Sequence, residues 1–111
     1  MSTDPRAAIA AADTALGIEF GSTRIKAVLI GPDHEVLATG GHGWENHLEG
    51  GLWSYGLDEV LAGLQSAYAS LVANVRERYD VTPVSYGSIG ISAMMHGYLA
   101  FDADDSLLAP F

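Results

Sequence analysis

The sequence predicts an α/β fold built on a mixed sheet, and three observations predict it. Short β-rich runs at 16–20, 24–30 and 35–39 are separated by Gly21-Ser22-Thr23 and Gly31-Pro32-Asp33-His34, which carry turn chemistry. One long stretch, 57–79, repeats its apolar residues at three- and four-residue intervals. Residues 84–92, which follow that stretch, alternate Gly or Ser with larger residues and end in a nearly continuous apolar run. A strand that follows a crossover helix normally joins the same sheet in parallel.

The elements follow in order. Residues 1–14 are rich in Ala, Ser, Thr and Asp and read as a flexible leader, with a short Ala-rich helix as the alternative and 15–111 as the folded part. Strands at 16–20, 24–30 and 35–39, joined by tight turns, form an antiparallel meander. From Gly40 to Gly56 no period is visible, and this stretch reads as a long loop carrying Trp44 and Trp53. The helix at 57–79 places Leu57, Val60, Leu61, Leu64, Tyr68, Leu71, Val72, Val75 and Tyr79 on one stripe. Gly56 serves as its N-cap, Asp58 and Glu59 suit its first turn, and Arg76 and Arg78 suit its last. The run 84–92 reads as a buried central strand. Segments 98–101 and 106–108 flank Asp102-Ala103-Asp104-Asp105 as a small hairpin. The helix covers one face of the sheet. The other face then needs a further segment or a second copy of the chain to cover it.

Composition narrows the function classes. Five Lys and Arg against fourteen Asp and Glu give a net charge of −9 over 111 residues. That balance offers no basic patch for nucleic acid or an anionic membrane. With no Cys, a disulfide scaffold, a thiolate metal site and a Cys nucleophile are excluded. No apolar run reaches the roughly 18 residues of a membrane helix, and no secretion signal precedes the strands. The expectation is a soluble, cytoplasmic chain. His42 and His47, five apart with no Cys nearby, make a poor zinc pattern. Asp102 to Asp105 is too short for a calcium loop and reads as a solvated hairpin tip.

Two stretches carry chemistry. In Gly17-Ile18-Glu19-Phe20-Gly21-Ser22-Thr23-Arg24-Ile25-Lys26, a strand ends near an acid, turns through Gly and two hydroxyls, and returns with a Lys. Gly21 admits close backbone approach, Ser22 and Thr23 offer hydroxyls and amides to a phosphate, and Lys26 adds a positive charge. Glu19 can hold a hydrated metal ion. The same residue types also fit an ordinary hairpin turn, and the turn leads into a strand, which rules out a Walker loop. The second stretch is Ile89-Gly90-Ile91-Ser92-Ala93-Met94-Met95-His96-Gly97-Tyr98, which brings His96 to a strand end, where ligands of sheet proteins gather.

Residues 16–30 resemble the first phosphate motif of the FGGY carbohydrate kinases, which belong to the actin, hexokinase and Hsp70 superfamily. The motif runs apolar-Gly-Ile-Asp-apolar-Gly-Thr-Ser, two residues, Lys. By position, Gly21, Ser22, Thr23 and Lys26 match its ATP phosphate-binding residues. Glu19 stands where its metal-linked Asp stands, and the added methylene displaces a hydrated Mg²⁺ by roughly one C–C bond length. Residues 89–98 resemble the sugar-contacting segment of the ketopentose kinases, Gly-apolar-Ser-Gly-Gln-Met-His-Gly. Met95, His96 and Gly97 match it, and Met94 replaces the Gln. Trp53 matches an aromatic near the sugar pocket, while Tyr55 occupies the place of a family Glu.

The resemblance covers 16–111 and implies an incomplete ribonuclease H-like unit. On this reading the chain is the amino-terminal part of a xylulokinase- or ribulokinase-like enzyme using ATP and Mg²⁺, with the sugar and the remainder of the kinase, or a second copy, as partners. The base Asp, the second phosphate motif and the adenosine motif have no counterpart before Phe111, so the chain alone is expected to be inactive. The alternative is a non-catalytic truncated product or interaction module with a kinase-like fold.

Overall fold

A computed structural model of the chain describes residues 4–45, 47–49, 52–94 and 99–108; of residues 47–49, 52 and 53 it describes the backbone alone. A short helix, α1 (Pro5–Ala10), comes first. It is capped by the Asp4 carboxylate, which accepts from the Arg6 N–H, and Pro5 stands in its first turn. Ala8 and Ile9 are buried in the main core. The described part of the expected flexible leader is thus a docked helix, because Ile9 supplies an apolar anchor that the Ala-rich composition concealed.

Strands β1 (Ala15–Phe20) and β2 (Arg24–Ile30) pair antiparallel, with Ile18 opposite Ala27 and Glu19 opposite Lys26. β3 (Val36–Gly43) pairs antiparallel with β2, with a register shift between Leu29 and Ile30. It runs four residues past the expected end at Thr39. Part of the expected loop after it is a two-stranded ribbon, β4 (His47–Glu49) with β5 (Leu52–Ser54). Helix α2 (Leu57–Tyr79) follows with the expected bounds, and Asp80 ends it in a left-handed conformation. β6 (Ser88–Ser92) joins β1 in parallel, giving the sheet order β3-β2-β1-β6.

The meander, crossover helix and parallel strand are as expected. The burial of β6 is not. It is an edge strand exposed along its whole length, shorter than the expected 84–92. A continuous apolar run signals burial only when both faces are covered, and here nothing among the described residues lies over it. In the expected hairpin, Phe101 bridges Leu107, and the Asp102 carboxylate accepts from the Asp104 and Ser106 amides.

Pairing assigns the two faces of the sheet. Leu16, Ile18, Ile25, Ala27, Leu29 and Ala38 lie on the α2 side and are buried. The seam of α2 is Gly63, Ala67, Leu71 and Val75, one row at four-residue spacing. Of the predicted stripe only Leu71 and Val75 are fully buried, and Leu61 is exposed. Small residues win the seam because α2 lies close against β3: a Cβ on Gly40 would collide with the Leu71 N and Ala67 O, and one on Gly63 with the Ile25 and His42 side chains. The C-terminal half of α2 is pinned to β3. Arg78 and the Tyr79 hydroxyl both donate to the Leu37 carbonyl, and the Asn74 side-chain oxygen accepts from the Thr39 N–H.

The face away from α2 is glycine-rich and polar, with Gly17, Glu19, Lys26, Thr39, Gly41, Gly90 and Ser92. The uncovered apolar surface lies instead on the α2 side. Ile89 and Ile91 are 61% and 70% exposed there, and with Leu16, Ile18, Phe20, Leu64 and Tyr68 they line a groove between β6 and α2.

Candidate functional site

The open face forms a cleft of about 850 Å³ lined by Gly17, Glu19, Arg24, Lys26, Gly41, Gly90 and Ser92, among others. That volume lies within the range of small-molecule sites. Glycines make the concavity. A Cβ on Gly17 would press on the Val28 side chain, and one on Gly41 would occupy the space in which the Arg24 guanidinium lies. The chain has only five Lys and Arg. Two of them, Arg24 and Lys26, enter this cleft from one strand, facing Glu19 across the β1–β2 pair.

The turn at the mouth of the cleft joins β1 to β2 through Gly21, Ser22 and Thr23. Its Gly21 N–H donates to the Arg24 carbonyl at 2.9 Å. A Cβ on Gly21 would stand 2.9 Å from that same carbonyl oxygen and 3.7 Å from Glu19 Oε1, so the bare glycine keeps the turn closed beneath the carboxylate. Ser22 and Thr23 are exposed.

Every carbonyl of the turn is held from the following loop. The Trp44 indole N–H donates to the Gly21 carbonyl at 2.7 Å, the Tyr55 hydroxyl to the Ser22 carbonyl at 2.7 Å, and the Trp44 backbone N–H to the Thr23 carbonyl at 3.1 Å. The two rings pack against each other with centroids 4.4 Å apart and planes tilted by 32°. Trp44 is buried with Ile25 and Ala67, and Phe20, Tyr55, Val60 and Met94 pack against that cluster. Neither Trp44 nor Tyr55 is a candidate from the sequence. They lie 23 and 33 residues from their partners, and no local spacing announces such a contact.

Glu19 and Lys26 face each other in the lining of the cleft, and the turn of Gly21, Ser22 and Thr23 joins their two strands without itself lining it. Met95 and His96 lie outside the described residues. Met94, which leads into them, packs against the cluster that holds the turn. Trp53 is placed by its backbone, in β5 opposite Leu48. Among the described residues no group of three or more His, Asp or Glu is arranged to hold a metal ion. Among them, too, no helix is long and apolar enough to cross a membrane.

No protein-family model matches the chain, and no curated protein matches it. Solved structures do. A xyloylose kinase from Brucella ovis superposes with a TM-score of 0.73 at 22% identity, over 87% of this chain and 20% of its own. A ligand-bound xylulose kinase from Lactobacillus acidophilus gives 0.68 at 19% identity, over 87% and 19%. A gluconate kinase from Lactobacillus acidophilus gives 0.69 at 19% identity, over 87% and 18%. At these identities the likeness establishes a shared fold, and the chain spans about a fifth of the length of those proteins.

Proposed function

We propose that this chain is the amino-terminal segment of an FGGY-type carbohydrate kinase, a ribonuclease H-like unit that binds the phosphates of ATP at Gly21, Ser22, Thr23 and Lys26. The observation that carries this reading is the turn with all three carbonyls tied back, set beside two cations at the mouth of a glycine-lined cleft. The fold shared with three kinases supports it.

Each residue has a defined task. The turn amides and the Lys26 ammonium take the phosphate charge, and their fixed positions favour a γ-phosphoryl held for in-line transfer. The Glu19 carboxylate, beside Gly21 and opposite Lys26, would hold a hydrated Mg²⁺ about one C–C bond length from where a shorter Asp would hold it. When bound, Mg²⁺ neutralises charge on the phosphoryl oxygens. Met95, His96 and Trp53 would contact the sugar, a ketopentose by the resemblance of 89–98. Transfer itself requires a base to take the proton of the sugar hydroxyl as its oxygen bonds the γ-phosphorus and the bond to ADP breaks. The resemblance assigns that base, and the adenosine contacts, to a part of the kinase outside these 111 residues. The chain alone therefore binds phosphate without turning over sugar. The rest of the kinase chain, or a second copy, would cover the apolar groove beside β6.

The test is a titration of the ¹⁵N-labelled chain with ATP, with and without Mg²⁺. Shifts concentrated at Gly21 to Lys26 and at Gly17 and Gly41 are expected, with affinity reduced about tenfold in Lys26→Ala. An unmoved turn at millimolar ATP overturns the reading, as does ATP-dependent phosphorylation of xylulose or ribulose by the purified chain above a blank.

A further inference from the structure

Resting on that reading of the turn, we propose that Trp44 and Tyr55 are positioning residues of the anion site: they hold its carbonyl side so that the amides of Ser22, Thr23 and Arg24 face the ligand together. The argument starts from the peptide bond. It is planar and trans, so a C=O and the N–H of the next residue point in opposite directions. The carbonyl of Gly21 is fixed by the Trp44 indole, that of Ser22 by the Tyr55 hydroxyl and that of Thr23 by the Trp44 amide. Three consecutive N–H groups, on Ser22, Thr23 and Arg24, are thereby aimed away from the aromatic pair. Successive backbone amides directed to one side form an anion-binding concavity.

An ordinary closed β-turn would not do this. There the first carbonyl accepts the amide three residues on, which turns that N–H inward. Here the indole donates to the Gly21 carbonyl, and the Arg24 amide does not close the turn onto it. The clamp is held in place at Trp44, which is only 8% exposed and whose ring packs against Tyr55 at a 32° tilt. Both residues flank the β4–β5 ribbon that carries Trp53, and Met94 packs against the same cluster. Displacement of Trp44 or Tyr55 would thus be transmitted to the phosphate turn through two hydrogen bonds of 2.7 Å.

Inorganic triphosphate is the probe, since it carries neither adenosine nor sugar. It is titrated into the ¹⁵N-labelled 111-residue chain and into Tyr55→Phe, which keeps the ring contact and removes only the hydroxyl. The wild type should show saturable shifts at the Ser22, Thr23 and Arg24 amides and at the Trp44 indole N–H, which is one carbonyl away. Tyr55→Phe should lower triphosphate affinity about three- to tenfold and reduce the shift of Thr23 most, because that amide shares its peptide with the released carbonyl. Tyr55→Trp, which restores a ring donor, should recover part of the loss. Unchanged affinity and an unchanged Thr23 shift in Tyr55→Phe, with wild-type binding intact, would overturn the clamp and leave the phosphate reading standing. No shift of the three amides in the wild type would overturn both. The indole signal reads out the clamp in the wild type alone, so the result does not depend on any variant folding.

Discussion

Gly40→Ala tests the packing that sets the cleft in place. A Cβ on Gly40 would stand 2.3 Å from the Leu71 N, 2.4 Å from the Ala67 O and 2.9 Å from the Leu71 Cα. Each distance is well short of van der Waals contact, the first two by more than about 1 Å. All three atoms are helix backbone, so no side-chain rotation relieves the clash and α2 must withdraw from β3. Withdrawal opens the seam at Ala67, Leu71 and Val75, which are fully buried. Overpacking costs about 1–3 kcal/mol, and a backbone-on-backbone clash belongs at the upper end. For a domain of this size about 3 kcal/mol lowers Tm by roughly 10–20 °C. Gly90→Ala is the control, since a Cβ there meets nothing within 4 Å, and its effect should stay within about 0.5 kcal/mol. The assay is urea unfolding followed by far-UV circular dichroism. Equal midpoints for Gly40→Ala and Gly90→Ala would refute the account of how α2 seats on the sheet.

Three further outcomes are expected. In an active kinase containing this segment, His96→Ala should lower kcat/KM for the sugar about 5- to 100-fold with the KM for ATP unchanged, and steady-state kinetics unaffected toward the sugar would remove His96 from the pocket. Burial and the 2.6 Å hydrogen bond to Tyr68 push the Tyr86 phenol above its ordinary range. The folded chain therefore holds that proton more tightly than the unfolded chain, so stability is level below pH 10 and falls above it. Urea midpoints between pH 9 and 11 should show the fall, and Tyr86→Phe should flatten it. Ile91 is 70% exposed in the groove beside β6, so Ile91→Ser should reduce both hydrophobic-dye binding and self-association of the isolated chain, as measured by fluorescence and light scattering; a wild type that is monomeric and dye-free would contradict the expectation of an uncovered apolar surface.

The elements legible in the sequence are those whose pattern is local. α2 declares itself by its spacing and caps, and the β1–β2 hairpin by Gly21 between two β-rich runs. β3 is obscured because Gly40, Gly41 and Gly43 argue against a strand, yet Gly40 is required there by the approach of α2 and Gly41 by the Arg24 side chain lying over it. The short strands β4 and β5 are hidden by the aperiodicity of the stretch that carries them. β6 reads as buried since an apolar run records what a strand can pack against and not what covers it. In the candidate site, the residues of the turn are contiguous and legible, whereas Trp44 and Tyr55 reach it only through tertiary folding.

The register shift between Leu29 and Ile30 sits at the end of the β2–β3 pair remote from the Gly21–Thr23 turn. Slipping a strand by one residue exchanges its two faces. Near the turn such a slip would put Ile25 in the cleft and Lys26 under α2. At the far end the irregularity already absorbs a residue before the pairing reaches Lys26. The two hairpins of this meander thus differ in what a change of length would do to the cleft: at 21–23 it would exchange the faces of Arg24 and Lys26, whereas at 31–35 it would fall beyond the register shift, on a turn closed by the Gly31 N–H to Glu35 carbonyl and His34 N–H to Gly31 carbonyl bonds.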